Sequence, residues 1–353
     1  MLGQIQAEKR VRLLSSLVLS SPYLLNTKVA LPGGRSSMNI YDPRKEEMVI
    51  PNQGMMTYPS RYIGSSRGWV GFINSNDPRS LYLTNMFNHK VISLPPMEPD
   101  CADNIIINMS LSSSPDDSCV VAIKFFGGRM CFCRPGDSAW TKTETSSKLL
   151  DCSSVLYSNR DSKFYLTTFR LVSKLHFTAI KFDASTYKPL GHQDFPEVTY
   201  YHKFDRLKLP DLLWSEFELL ESCFHTEHLV ESPTGEVFDI MWFIQFSHGT
   251  KAVHWKDHHK QLKKEEVVKK TKRFMVYRED EDCYTYDIGD LCIFLGQSTE
   301  AFCLQASMFP GLKPNSIYFA AANHSGVYDL ATDVIHDLPL TNTPLMWLAP
   351  LSH

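Results

Sequence analysis

The feature that most limits how this chain can fold is a short unit found near its start and again near its end. Residues 40–51 (IYDPRKEEMVIP), 81–95 (LYLTNMFNHKVISLP) and 327–339 (VYDLATDVIHDLP) each read as strand, polar turn, strand, proline. Alternating apolar residues bounded by turn formers are the mark of a β-hairpin. Weaker copies lie between them: residues 119–134 around Gly127-Gly128, 155–166 around Asn159 to Asp161 followed by 177–182, 228–242 around Pro233 to Gly235, and 274–295 around the acidic stretch 279–282. So many hairpins expose many strand edges, and an all-β chain hides them by closing on itself or by stacking its sheets. The recurrence predicts an all-β fold, a β-propeller of about six blades, with seven as the alternative, from about 310 residues at about 50 per blade. The likeness of the two ends predicts that N- and C-terminal segments share a blade and close the ring.

Two stretches break this rhythm. After Pro210 the spacing of Leu213, Phe217 and Leu220 is helical, which predicts a short helix connecting blades. Residues 256–273 carry Lys256, Lys260, Lys263, Lys264, Lys269, Lys270, Lys272 and Arg273 against Asp257, Glu265 and Glu266, and read as a solvated basic insert between paired strands.

Residues 1–37 have another character. Lys9, Arg10, Arg12, Lys28 and Arg35 are opposed by Glu8 alone, with serines interspersed, which is the composition of an organelle import signal. Lys9, Arg10 and Arg12 are the candidate targeting residues. The segment is expected to be a short helical or disordered presequence, with the propeller occupying 38–348 and the protein imported into mitochondria; cytoplasm or nucleus is the alternative.

Composition excludes several classes. The formal charge of −3, from 36 basic and 39 acidic residues, gives no global attraction to nucleic acid or to an anionic membrane. No apolar run is long enough to span a bilayer as a helix. Nine cysteines, at 101, 119, 131, 133, 152, 223, 283, 292 and 303, show neither Cys-x-x-Cys pairs nor framework spacing, so a reducing compartment is expected. The sequons at Asn108 and Asn323 would matter in a secreted protein alone.

Candidate chemistry is sparse. Clustered lysines attract anions without reading sequence, so Lys263, Lys264, Lys269 and Lys270 are the candidate anionic contact. His254 and His258 have the i, i+4 spacing of a metal-binding helix face, with His248 and His259 nearby, but no Cys pair or Glu partner supports a third ligand of defined geometry, and residues 279–282 lack the spaced ligands of a calcium loop. Cys131 and Cys133, separated by Phe132, would project from one face of a strand as buried thiols. No nucleophile elbow, phosphate loop, dinucleotide fingerprint or zinc-protease helix is present, so no residue is nominated as catalytic, cofactor-binding or metal-binding, and no cofactor is expected.

Four ordered motifs carry a family likeness. Residues 226–236 (TEHLVESPTGE), 274–278 (FMVYR), 287–296 (DIGDLCIFLG) and 309–319 (FPGLKPNSIYF) together resemble the plant family called domain of unknown function 295, the KIB-type β-propeller, over about residues 38–348. Many of its members place an F-box before the propeller and act as substrate receptors of ubiquitin ligases. No F-box opening precedes this propeller, and residues 21–25 (SPYLL) and 119–127 (CVVAIKFFG) resemble the organelle-targeted branch in which a presequence takes its place. The resemblance implies a non-enzymatic interaction protein with an unidentified protein partner, with binding to a Skp-type adaptor not expected. A cytosolic substrate receptor is the second reading. An unrecognised enzyme or small-molecule site in the channel is the third.

Overall fold

The structure is a computed structural model that describes residues 21–31, 35–49, 60–74, 76–88, 90–98, 105–116, 118–144, 153–160, 162–166, 180–183, 212–249, 251–254, 267–278, 283–296, 298–321, 324–339 and 345–350. Among these residues the chain is strand throughout apart from one α-helix and one short 3-10 turn.

The first sheet contains β1 (Tyr23–Leu31), β2 (Arg35–Asp42) and β3 (Glu47–Val49). The second contains β4 (Ser60–Ser66), β5 (Trp69–Asn74), β6 (Asp77–Asn85) and β7 (Val91–Ser93). The third contains β8 (Ile106–Leu111), β9 (Val121–Phe125), β10 (Arg129–Cys133) and β11 (Thr141–Glu144). A three-stranded sheet follows, of β12 (Val155–Ser158), β13 (Lys163–Leu166) and β14 (Ile180–Asp183). Helix α1 (Trp214–Ser222) leads into β15 (Phe224–Glu231), β16 (Val237–His248), β17 (Lys251–Val253), β18 (Val267–Arg278) and β19 (Cys283–Thr285). The last sheet holds β20 (Leu291–Gly296), β21 (Phe302–Gln305), β22 (Ser316–Ala321), β23 (His324–Asp329) and β24 (Val334–Asp337). The final strand, β25 (Leu345–Leu348), returns to the first sheet and pairs antiparallel with β1, Leu24 opposite Trp347, so the order there is β25-β1-β2-β3 and the ring is closed.

Both faces of most strands are buried, which explains why apolar residues alternate between two cores rather than between core and solvent. Val121, Ile123, Cys131 and Cys133 face the second sheet, while Val120, Ala122, Met130 and Phe132 face the three-stranded one. Leu24, Tyr41 and Trp347 pack on the last sheet, and their neighbours Tyr23, Leu25, Ile40 and Met346 pack on the second. Each sheet is thereby joined to the next around a ring, the arrangement of a β-propeller.

The three strongest hairpin repeats form β2–β3, β6–β7 and β23–β24, the outer strands of their sheets. The expected six or seven blades are corrected: five sheets are full blades of four or five strands, and β12–β14 is a three-stranded sheet among the described residues. Dividing length by an average repeat misled because the repeats are unequal. The β8–β11 blade uses residues 106–144, whereas the β15–β19 blade uses 224–285 and contains two strands of 12 residues.

Other boundaries shift as well. The expected border between 37 and 38 falls inside β2, and β1 begins at Tyr23, so the propeller starts earlier; residues 1–20, with Lys9, Arg10 and Arg12, lie outside the described residues. The basic insert is not loop to its end, since β18 begins at Val267. The 309–316 stretch joins strands within one blade, because β20 and β22 are parallel neighbours and need a crossover. In α1 the buried residue is Leu220; Leu213 and Trp214 are 70% and 72% exposed, Leu213 being the N-cap rather than part of the packed face.

Candidate functional site

The inner strands β25, β4, β8, β12, β15 and β21 surround the ring's axis. The turn from β20 to β21 does not stay in its own blade. It reaches across to β4: Ser65 N–H donates to the Ser298 carbonyl at 3.2 Å, and Glu300 N–H donates to the Ser65 carbonyl at 2.9 Å. Gly64 permits this approach, because a Cβ there would stand 2.7 Å from the Ser298 oxygen and 2.9 Å from the Met109 nitrogen. Ser65 Oγ donates to the Trp347 carbonyl at 2.7 Å, and Trp347 N–H donates to Thr299 Oγ1 at 3.2 Å, tying in the closing strand.

Glu300 is the hub of this crossing. Ser66 Oγ from β4 donates to its Oε2, Ser110 Oγ from β8 donates to Oε1 at 2.5 Å, and Tyr157 N–H from β12 donates to Oε1 at 3.1 Å. A buried carboxylate is tolerated where its oxygens are hydrogen-bonded. Burial pushes its pKa above the ordinary carboxylate value, with the Arg67 charge and the serine and backbone donors pulling back. Asn108 adds a second link, exchanging bonds of 2.8 and 2.9 Å with the backbone of Val155. That sequon is therefore a buried structural asparagine.

Above the crossing lies a cavity of about 360 Å³. Its apolar lining includes Leu156, Phe302, Leu304 and Phe309, and its polar lining includes Arg67, Asn159, Glu231 and the buried Ser232. Arg67 and Gly68 form the two-residue turn between β4 and β5, with φ of 50° and 77°. The Arg67 guanidinium lies over the Tyr157 ring, Cζ 5.7 Å from the centroid; its Nε donates to the Leu111 carbonyl at 2.8 Å and its Nη2 to Asn159 Oδ1 at 2.6 Å. Glu231 Oε1 accepts the Arg160 N–H at 3.1 Å, and its buried Oε2 has no hydrogen-bond partner among the described residues.

Sequence reasoning nominated other residues. Lys263 and Lys264 lie outside the described residues; Lys269 and Lys270 are exposed on β18, with Lys269 Nζ 5.3 Å from the Phe246 ring centroid. His254 is half-buried, His258 and residues 279–282 lie outside the described residues, and no cluster of metal-binding side chains occurs among the described ones. Cys131 and Cys133 are buried cysteines outside any disulfide, on one strand face. Burial raises the Cys133 pKa and brings that of Cys292 to about 12, so these thiols stay protonated. Residues 298–300 were missed. The available signal was one acid in a short polar turn between the apolar runs 291–296 and 301–304.

The model of the KIB1-4 β-propeller family matches residues 40–329. No curated protein matches the chain. Among solved structures, the crystal structure of the Myceliophteria thermophila Cps50 (Swd1) β-propeller domain is similar over 90% of this chain and 94% of that one, at 9% identity and a TM-score of 0.36.

Proposed function

This chain belongs to the KIB1-4 β-propeller family, and from that premise we propose that it is a non-enzymatic interaction scaffold that holds a protein partner at the mouth of its ring. The observation that carries the reading is the rim cavity, with apolar walls, a half-buried cation and a carboxylate contributed by different sheets. Such pockets bury an apolar group and orient it with a few polar ones. Glu300 serves the architecture, because both its oxygens accept bonds that join blades. No helix among the described residues is long and apolar enough to cross a membrane.

The finer assignment is the plant, organelle-targeted branch, with work in mitochondria. The basic, serine-rich composition of residues 1–20 supports it. A fusion of residues 1–40 to a fluorescent reporter is expected to enter mitochondria, and a cytosolic reporter contradicts the placement.

Site-specific photo-crosslinking in organelle extract tests the scaffold reading. A crosslinker at Pro233, an exposed residue of the cavity lining, is expected to capture one discrete partner; the same group at Val91, on an outer strand, is expected to capture none. Equal capture at both positions, or none at Pro233, overturns the reading.

A further inference from the structure

The chemistry of the occupant follows from Arg67, and the inference rests on the mouth of the ring being the binding surface. Two-residue turns with positive φ favour Asn, Asp and Gly, because an L side chain crowds the backbone there. Arginine brings no backbone advantage at this position, so its side chain is what the position uses. Two of its nitrogens are engaged with Leu111 and Asn159, whereas Nη1 has no hydrogen-bond partner and the guanidinium no salt bridge among the described residues.

The acids nearby make no salt bridge with Arg67 among the described residues, although its charge acts on Glu300 through space. Glu300 has both oxygens committed to Ser66, Ser110 and Tyr157. Glu231 lines the same cavity, but the Asn159–Arg160 turn stands between it and Arg67, taking one bond from each. A cation and a carboxylate thus share one cavity without pairing. A ligand that satisfies both carries an anionic acceptor for Arg67 and an N–H donor for Glu231. The half-buried Phe302, Leu304 and Phe309 add a requirement for an apolar body.

We propose that the cavity takes the C-terminal residue of a partner polypeptide, with its free carboxylate on Arg67, its backbone N–H toward Glu231 and an apolar side chain against Phe302 and Phe309. A volume of about 360 Å³ lies at the small end of ligand pockets, enough for a terminal residue and part of its neighbour. An internal peptide segment offers Arg67 a charge only through an acidic side chain, which leaves Phe302 and Phe309 without an apolar group. A lysine side chain would answer Glu231 but meet repulsion from Arg67.

The test is saturation-transfer NMR on the full chain with four probes: N-acetyl-leucine, N-acetyl-leucine N-methylamide, leucine N-methylamide, and an acetylated pentapeptide ending in leucine with a free carboxylate. N-acetyl-leucine is expected to bind with a dissociation constant on the order of 1 mM. The uncharged methylamide is expected to bind about tenfold more weakly, the loss of a charge-assisted pair, and the pentapeptide at least as tightly as N-acetyl-leucine. Arg67→Asn suits the turn; it is expected to leave the melting temperature within a few degrees and to abolish the tenfold preference. Phe309→Ala, away from the turn, is expected to weaken every bound probe while keeping the preference.

Absence of saturation transfer from all four probes overturns the proposal, as does a preference that survives Arg67→Asn or affinities untouched by Phe309→Ala. Unfolding of Arg67→Asn makes Arg67 a structural clamp and also overturns it. Binding of N-acetyl-leucine with exclusion of the pentapeptide contradicts the polypeptide occupant. A carboxylate preference that persists while the crosslinker at Pro233 captures no partner overturns the scaffold reading and leaves the recognition chemistry standing.

Discussion

The seam between the β15–β19 and β20–β24 blades and the seam between the β12–β14 sheet and the β15–β19 blade belong to one ring, yet they are held differently. The first is a continuous aromatic core: Phe274 meets Trp242, Phe319 and Tyr328 at ring centroid separations of 5.5, 5.4 and 5.2 Å, with Ile293, Leu295 and Ile317 filling around them. The second is made by Leu156, Tyr165, Leu229 and Val237 among the described residues. The cavity opens beside the second, lined by Leu156, Tyr157, Glu231 and Ser232. A binding surface placed where, among the described residues, apolar packing is the thinner of the two can adjust to an occupant while the thick seam keeps the ring intact.

The comparison breaks first on stability. Phe274→Ala should cost about 3–5 kcal/mol and Leu229→Ala about 2 kcal/mol, read as urea midpoints at constant slope. Equal costs would mean the two seams carry equal weight.

Acid should act on the first seam through His228, whose ring centroid lies 5.9 Å from that of Trp242. Burial lowers its pKa from 6.5 to about 4. The unfolded chain therefore binds a proton below pH 6.5 that the native chain refuses until about pH 4, so stability rises with pH across that window. Acidification from pH 6.5 to 4 should remove roughly 3 kcal/mol through this group. His228→Gln, which keeps a hydrogen-bonding group near Thr226, should flatten that part of the stability profile; an unchanged slope contradicts the assignment.

Glu300 joins the sheets on both sides of the axis, and its titration has the opposite sign. With a raised pKa the native chain keeps a proton that the unfolded chain has released, so this contribution is present at low pH and lost as pH rises from the ordinary glutamate range. Glu300→Gln imitates the protonated acid and should leave the neutral-pH melting temperature nearly unchanged. Glu300→Ala strands the Ser66 and Ser110 hydroxyls and the Tyr157 N–H, at a cost of about 1–3 kcal/mol. A Gln variant as damaged as the Ala variant would mean that the charge itself is required. At the small end, Lys269→Ala, at an exposed position of β18, should change stability by no more than about 0.5 kcal/mol.

Much of this ring is written in short-range patterns. Residues 40–51, 81–95 and 327–339 form the outer hairpins they spell, because turn residues and period-two alternation are local signals. The start of the propeller was hidden, since the basic residues Lys28 and Arg35 give the range spanning β1 and β2 a presequence composition that pairing with β25 overrides. The site was less legible still. Arg67, Glu300, Asn159 and Glu231 come from four distant parts of the chain and meet through ring closure alone, so no spacing announces them. Arg67-Gly68 could be read as a turn, but not what its guanidinium would face.

Hydrogen–deuterium exchange of the full chain, with and without the leucine-terminated pentapeptide, most directly tests whether the mouth at the thin seam is the binding surface. The account predicts added protection at residues 155–159 and 229–232, with β18 and β22 unchanged. Protection absent from the mouth, or confined to the outer strands, would contradict it.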